Sequence, residues 1–386
     1  MTKYISSFLF FLLVIILSGC YDSRAPERIA YAHGMAIDYK DGEYIVYLQL
    51  INYGMLAKSE ASGGDQDTPP DVRKTGKGKN INEAIFNIYP TAQQEIYFGN
   101  LSFVILSDRL LKEKGIKSVV DIWSRYPETR YQIYFYTGDD IIEQIIAVKP
   151  VLDVSKSLNR LADPKNSFEQ NSTTPIVTLR ELLIALNEPG HTAVIPKVFL
   201  THDEVSPPMK AVDIVGFDGI TLYNNYNKFL GNLMYEQAYG YRWINKKFSR
   251  TNLQLLKDNE TLATVIINEK KTKITPIIRN NSFQFKIKVE VKGSISEIDK
   301  NGATVEEMKR AAIEQIKSEI MRTYTQALEM DADVYRLSEV LYRKNLSVWK
   351  QYEEKGKIPL DDKSIDIDVK VFIEDAWKDG LRRSGE

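Results

Sequence analysis

The sequence holds one cysteine and three histidines in 386 residues, and these scarcities exclude a good deal. Cys20 has no second cysteine with which to form an intramolecular disulfide. Without further thiolates, His33, His191 and His202 do not make a structural zinc site. Stability has to come from apolar cores. Charge of one sign is also lacking: 51 Lys and Arg stand against 52 Asp and Glu, a net charge of −1, so no chain-wide field attracts nucleic acid. Beyond residue 20 no apolar run approaches the about 20 residues that a spanning helix needs. Nucleophile-elbow, zincin and dinucleotide-binding motifs are missing too. The residues therefore point to no enzyme, no cofactor and no metal.

What is present begins at the N-terminus. Lys3 precedes an unbroken apolar decamer, Phe8 to Leu17, which ends in Ser18-Gly19-Cys20. A decamer is too short to span a bilayer, and the small residues before Cys20 give it the form of a lipoprotein signal rather than of a short transmembrane anchor. Cys20 is thus the expected lipid-attachment residue, with residues 1–19 removed and 20–28 acting as a tether. Two acyl chains at about 0.8 kcal/mol per buried CH₂ hold a protein on a bilayer where one barely does. The 43% hydrophobic and 27% charged composition suits a folded body behind that tether.

Residues 29–204 read as an α/β region, with the possibility of two subdomains. The turn Lys40-Asp41-Gly42 joins predicted strands Ala32–Tyr39 and Tyr44–Ile51. Lys58 to Lys79 is polar and rich in Gly, Pro and Lys, and is expected to be a mobile loop over 58–79. Its Gly76-Lys77-Gly78-Lys79 lacks phosphate-loop spacing, since Asn80 follows the last lysine. Asn80 with Glu83 caps a helix facing inward through Ile81, Ala84, Ile85 and Ile88. Ile96–Ser107 is expected to be one strand with a bulge at Gly99, and Asp108 to cap a helix over Arg109–Lys114. Helices over Ser118–Tyr126 and Asp140–Val148 flank a strand over Tyr131–Tyr136. Thr178 and Glu181 form a capping box, and a strand over Ala193–Leu200 leads to Val205-Ser206-Pro207-Pro208, the expected boundary of a C-terminal domain over 205–386.

In that second half, Val212–Phe217 and Ile220–Tyr223 flank a turn at Asp218-Gly219, and Phe229–Ile244 is expected to be helical. Strands follow over Leu262–Asn268, Lys271–Ile278 and Ser282–Lys292. In the last, Phe283, Phe285, Ile287, Val289 and Val291 alternate with polar residues, so one face meets a core and the other water. Thr304 and Glu307 open a helix running toward Met330 with Met308, Ala312, Ile316 and Ile320 on one face, about 40 Å long at 1.5 Å per residue. A strand over Ile365–Val371 completes what is expected to be an antiparallel sheet under one long helix. The whole is a multi-domain α+β or mixed α/β chain. Asp331-Ala332-Asp333 and Thr201-His202-Asp203-Glu204 gather carboxylates, yet each lies at a helix end or a linker, where solvated polar groups are the ordinary reading.

Looser motifs along the chain are Gly19-Cys20-Tyr21-Asp22, Gly34-Met35-Ala36-Ile37-Asp38, Asn82-Glu83-Ala84-Ile85, Ile96-Tyr97-Phe98-Gly99-Asn100-Leu101 and Gly115-Ile116. Val215-Gly216-Phe217, the aromatic segment through Trp243, Asp331-Ala332-Asp333-Val334 and Trp349-Lys350 follow. Carrying them, the chain resembles the C subunit of nutrient germinant receptors, the Ger(x)C lipoproteins of spore-forming bacteria. It departs at Tyr21, where the family usually has tryptophan, and at Val334-Tyr335-Arg336-Leu337, where the family tends to a glycine-bearing turn. The resemblance implies a non-catalytic lipoprotein on the outer face of the spore inner membrane, assembled with integral membrane A and B type subunits and needed for response to nutrients. A solute-binding lipoprotein of a transporter is the alternative, and it calls for two similar lobes around a cleft. A lipid-anchored enzyme is the third.

Overall fold

A computed structural model describes residue 4 and residues 28–51, 71–126, 128–139, 141–148, 159–205, 210–224, 226–257, 260–279, 282–299 and 303–374. Within them, strands β1 (Ile29–Lys40), β2 (Glu43–Ile51), β3 (Asp71–Gly78), β4 (Glu95–Tyr97), β5 (Phe103–Ser107), β6 (Tyr134–Gly138), β7 (Thr192–Val205), β8 (Lys210–Asn224) and β9 (Phe229–Met234) form one sheet. Its order is β3-β2-β1-β5-β6-β7-β8-β9, with β4 beside β1. A second sheet runs β10 (Thr251–Lys257), β11 (Glu260–Arg279), β12 (Ser282–Ile298), β13 (Ile365–Glu374).

The first sheet starts with the expected hairpin. Asp41 and Gly42 both have positive φ, 54° and 80°, the backbone that matches a two-residue turn to the strand twist, and Lys40 pairs with Glu43. The central strands β1, β5, β6 and β7 are parallel, which requires crossovers, and helices supply them. Helices α1 (Ile81–Phe86), α2 (Asp108–Glu113) and α3 (Lys117–Arg125) cover one face, and α4 (Ile142–Ala147) the other. Two more, α5 (Lys165–Gln170) and α6 (Leu179–Asn187), precede β7, and α6 rejoins the first face. Alternation along the strands divides the side chains. Met35, Ile37, Val104 and Leu106 meet the first set of helices, whereas Ala36, Phe103 and Ile105 meet Ile142, Ile145 and Ile146. The sheet is therefore buried on both sides, as parallel strands require.

The second core lies under helix α8 (Val305–Glu329), opened by the Thr304–Glu307 capping box. Met308, Ala312, Ile316, Ile320, Tyr324 and Ala327 recur every three or four residues and are all buried against Leu253, Val265, Phe285, Ile287, Val289 and Val291. Each large side chain so buried contributes about 1.5–3 kcal/mol. A short helix, α7 (Tyr241–Ile244), precedes this sheet, and α9 (Leu337–Lys344) and α10 (Leu346–Tyr352) follow α8. Val194, Ile220, Leu222 and Leu233 of the first sheet join the same core, so the two sheets are packed together.

Several expectations are corrected. Residues 71–78 are not loop but strand β3, paired along its length with β2, while 52–70 lie outside the described residues. Ile96–Ser107 is two short strands, each parallel to a different part of β1, and Gly99 lies in the connection. Ser107, not Asp108, caps α2 by accepting Leu110 N–H at 3.0 Å. Asp218-Gly219 is no turn: β8 is continuous, and those two residues oppose the single Lys197 as a bulge. Phe229–Ile244 is strand β9, a 3₁₀ turn and α7: β9 pairs with β8, and β-carbons on Gly231 and Gly240 would overlap the Met330 side chain and Glu319 O of α8. Apart from these corrections, the boundary expected at 205–208 lies between β7 and β8, which pair antiparallel in one sheet. The second sheet is mixed: β13 is parallel to β12, since the chain crosses over through α8 before returning. Glu269-Lys270 likewise lies inside the continuous β11, at a register shift.

Candidate functional site

In α/β sheets ligands gather at the carboxyl ends of the parallel strands, and polar groups do meet there. Asp38, buried near the end of β1, accepts from Ser107 Oγ at 2.5 Å, from its neighbour Tyr39 N–H at 2.7 Å and from the Arg109 guanidinium. Arg109 Nε donates to Tyr39 O at 2.7 Å. Ser107 is thus both donor to Asp38 and cap of α2, and Asp38 in turn is held by Arg109. The neighbouring Tyr47 phenol is pushed up to about 12 by burial and by Glu143 and Asp38, so it keeps its proton near neutral pH.

Beside it runs a second chain of contacts. Lys197 Nζ lies 2.9 Å from Asp108 Oδ2 and 2.8 Å from Asp139 Oδ1. Asn232 Nδ2 donates to Asp108 Oδ2 at 2.6 Å, Thr221 Oγ1 donates to Asn232 Oδ1 at 2.7 Å, and Thr137 Oγ1 stands 2.5 Å from Thr221 Oγ1. These side chains link β6, β7, β8, β9 and the start of α2. Their geometry is that of a brace, because an ion pair this buried is costly to break once formed.

A third cluster sits in the second core. Arg242 of α7 donates through Nη2 to both oxygens of Glu319 on α8 at 2.8 Å, and Trp243 Nε1 donates to Glu319 Oε2 at 2.7 Å. Arg242 Nη1 reaches Thr251 Oγ1 at 2.9 Å. The pair borders a cavity of about 950 Å³ whose wall mixes charges of both signs, including Arg310, Glu314 and Arg322. Lys270 is satisfied by carbonyls: its ammonium donates to Trp243 O at 3.2 Å and to Asn245 O, and burial lowers its pKa to about 8.

The residues singled out in the sequence fall into place unevenly. Cys20 lies outside the described residues, as do the side chains of His202, Asp203 and Glu204. Asp333 is buried and accepts Leu337 N–H at 2.9 Å and Ser338 N–H at 2.7 Å, a cap for α9, whereas Asp331 pairs with Lys357 at the surface. The outer face of the second sheet carries Lys286, exposed, and Lys288, half-buried, with Asp368 3.9 Å from Lys286 and Glu290 3.1 Å from Lys288. Sequence reasoning missed the Arg242–Glu319 and Lys197–Asp108 pairs, whose partners are 77 and 89 residues apart and leave no local pattern. Among the described residues no group of three or more metal-ligating side chains gathers, and no helix is long and apolar enough to cross a membrane.

Comparison with known proteins gives these arrangements a context. Residues 22–200 match the family model described as spore germination protein N-terminal domain, and residues 218–376 the model described as spore germination B3/GerAC like, C-terminal. Spore germination protein KC of Bacillus subtilis (strain 168) is 25% identical over 401 residues, covering 99% of this chain and 97% of the relative. Spore germination protein B3 of the same organism is 24% identical over 300 residues, covering 74% of this chain and 73% of the relative. The crystal structure of the GerBC protein matches with a TM-score of 0.52 at 16% identity, covering 90% of this chain and 99% of that one, a likeness of fold.

Proposed function

The chain belongs to the spore germination family of those two models, and from that premise we propose that it is the lipid-anchored, non-catalytic subunit of a nutrient germinant receptor. The observation that carries this reading is the likeness to spore germination protein KC over nearly the full length of both chains. Diacylglyceryl attachment at Cys20 holds the body on the outer face of the spore inner membrane, beside integral membrane A and B type subunits. A solute-binding lipoprotein is disfavoured because, among the described residues, the sheets of nine and four strands have different strand orders and do not form two similar lobes.

Affinity purification of the full chain from spore membranes, followed by identification of the bound proteins, tests the assembly. The expected result is recovery of A and B type receptor subunits. Recovery of a transporter ATPase in their place would overturn the reading.

A further inference from the structure

Where the two sheets meet, a crevice of about 590 Å³ lies between α6, the start of β7, the segment after α7, β11 and helix α9. Its wall is rich in cations: Lys246, Lys247, Arg336, Arg343 and Lys344, against the acids Glu181 and Glu339. The one carboxylate at its centre is oversubscribed. Glu339 lies 3.1 Å from His191 Nδ1, 3.4 Å from Arg336 Nε and 3.0 Å from Arg343 Nε. These three groups, with Lys247 against Glu181 at 2.6 Å, use both acids of the wall, and Arg343 Nη2 also meets Glu188 at 2.9 Å, which leaves Lys246, Lys273 and Lys344 of the lining cations outside these ion pairs. Lys344 is directed to a neutral partner, Ile274 O, at 2.8 Å. A positive field remains, and it acts on whatever enters the crevice.

Apolar side chains complete the lining. Tyr241 and Ile244 of α7 and Ile274 of β11 are only partly buried, and all three line the crevice. Arg336 itself has φ 55° and ψ 41°, a left-handed backbone uncommon for arginine, and its Nη1 lies 3.2 Å from His191 Nε2. Concave sites of about 300–1,000 Å³ at the junction of two structural units, apolar with a few convergent charges, are where small ligands bind.

We propose that this crevice binds a small organic carboxylate, its anionic end held by Arg336 and the neighbouring cations and its apolar body lying on Tyr241, Ile244 and Ile274. The ligand bridges the two sheets. The proposal is independent of the germination reading, because it concerns binding to the purified chain alone.

Ligand-observed NMR on the full chain in detergent, with straight-chain, branched and aromatic monocarboxylates as probes, tests it. At least one acid is expected to bind saturably below about 10 mM, its neutral amide about tenfold more weakly, and inorganic phosphate without displacing it. Arg336→Gln is expected to weaken binding about tenfold. Lys246→Gln, an exposed position, is expected to weaken it about threefold and provides a variant whose folding is not at issue. Equal binding of acid and amide, displacement by phosphate alone as effective as by a second acid, absence of saturable binding across the whole set, or unchanged affinity in folded Arg336→Gln and Lys246→Gln would each overturn the proposal.

Discussion

Gly76 and Ala84 touch backbone to backbone: a β-carbon on Gly76 would overlap the carbonyl oxygen of Ala84, and one on Gly78 would stand 2.6 Å from Ala84 N. Strand β3 thus admits helix α1 at a distance only glycine permits. Gly76→Ala is expected to lower stability by about 1–3 kcal/mol, as overpacking does, by pushing α1 off the strand. Urea melts of the full chain measure it, and an unchanged midpoint would remove the close-packing account.

The same contact explains why composition misled at this segment. Gly, Lys and Asp at 71–78 read as unstructured because strand propensity reflects side chains that pack, while here the absence of side chains is what packs. Elements whose signal is local were legible. The alternation of Phe285 to Val291 and the capping boxes at Thr178 and Thr304 fall where expected, since each rests on neighbours within four residues. Elements decided by distant partners were not. Asp218-Gly219 is a bulge only because Lys197 stands opposite, β13 is parallel only because α8 intervenes, and Arg242 is buried only because Glu319 meets it. The candidate crevice is still less legible, being assembled from five separated segments.

The register of β12 can be tested directly. Phe285 is fully buried and Lys286 exposed, so Phe285→Ala is expected to cost about 3–5 kcal/mol and Lys286→Ala to stay within about 0.5 kcal/mol. Equal losses in chemical denaturation would contradict the register. Charge reversal of Lys286 and Lys288 together, scored by spore germination at matched protein level, then asks whether that face meets a partner. The expected result is germination as in the parent, as for a solvated face.

Removing one partner of the Arg242–Glu319 pair leaves the other charge buried. Glu319→Ala is expected to cost about 3–5 kcal/mol, with a smaller loss in the apolar double variant Arg242→Met/Glu319→Leu. Thermal melts of the three chains decide it. A double variant worse than the single one would show that the pair, with Trp243 and Thr251, stabilises more than its apolar replacement.

Asp333 and Glu339 lie at the two sides of one helix start and titrate in opposite senses. Burial raises Asp333 from 3.8 to about 6 despite its two backbone donors. Between those values the folded chain holds more protons than the unfolded one, so this contribution is full below about 4 and is lost as pH rises through 6. Burial also acts on Glu339, but His191, Arg336 and Arg343 outweigh it and hold the carboxyl at about 2, so its contribution is full above 4.5 and is lost only as pH falls toward 2. From pH 4.5 to 6.5 the slope therefore reports Asp333. Asp333→Asn is expected to flatten a decline of about 2–3 kcal/mol across the Asp333 titration. Parallel stability curves for the two proteins would count against the buried acid.

Cys20→Ala is expected to abolish lipid labelling, leave the signal uncleaved and weaken germination if, as proposed above, two acyl chains at Cys20 retain the body at the bilayer. Metabolic labelling with palmitate and fractionation of spore membranes check it. Normal labelling of the variant would refute acylation at this position.

The parallel pairing of β13 with β12 also sets an order of events. Phe285 faces Ile365 across the ladder, roughly 80 residues away, with α8, α9 and α10 in between, so the second sheet has a high contact order. Until that late strand docks, β12 presents a long row of unpaired amides and carbonyls edged with Phe285, Ile287 and Val289. A nascent or truncated chain lacking 365–374 is therefore an aggregation-prone species, with β12 free to recruit a strand from another molecule.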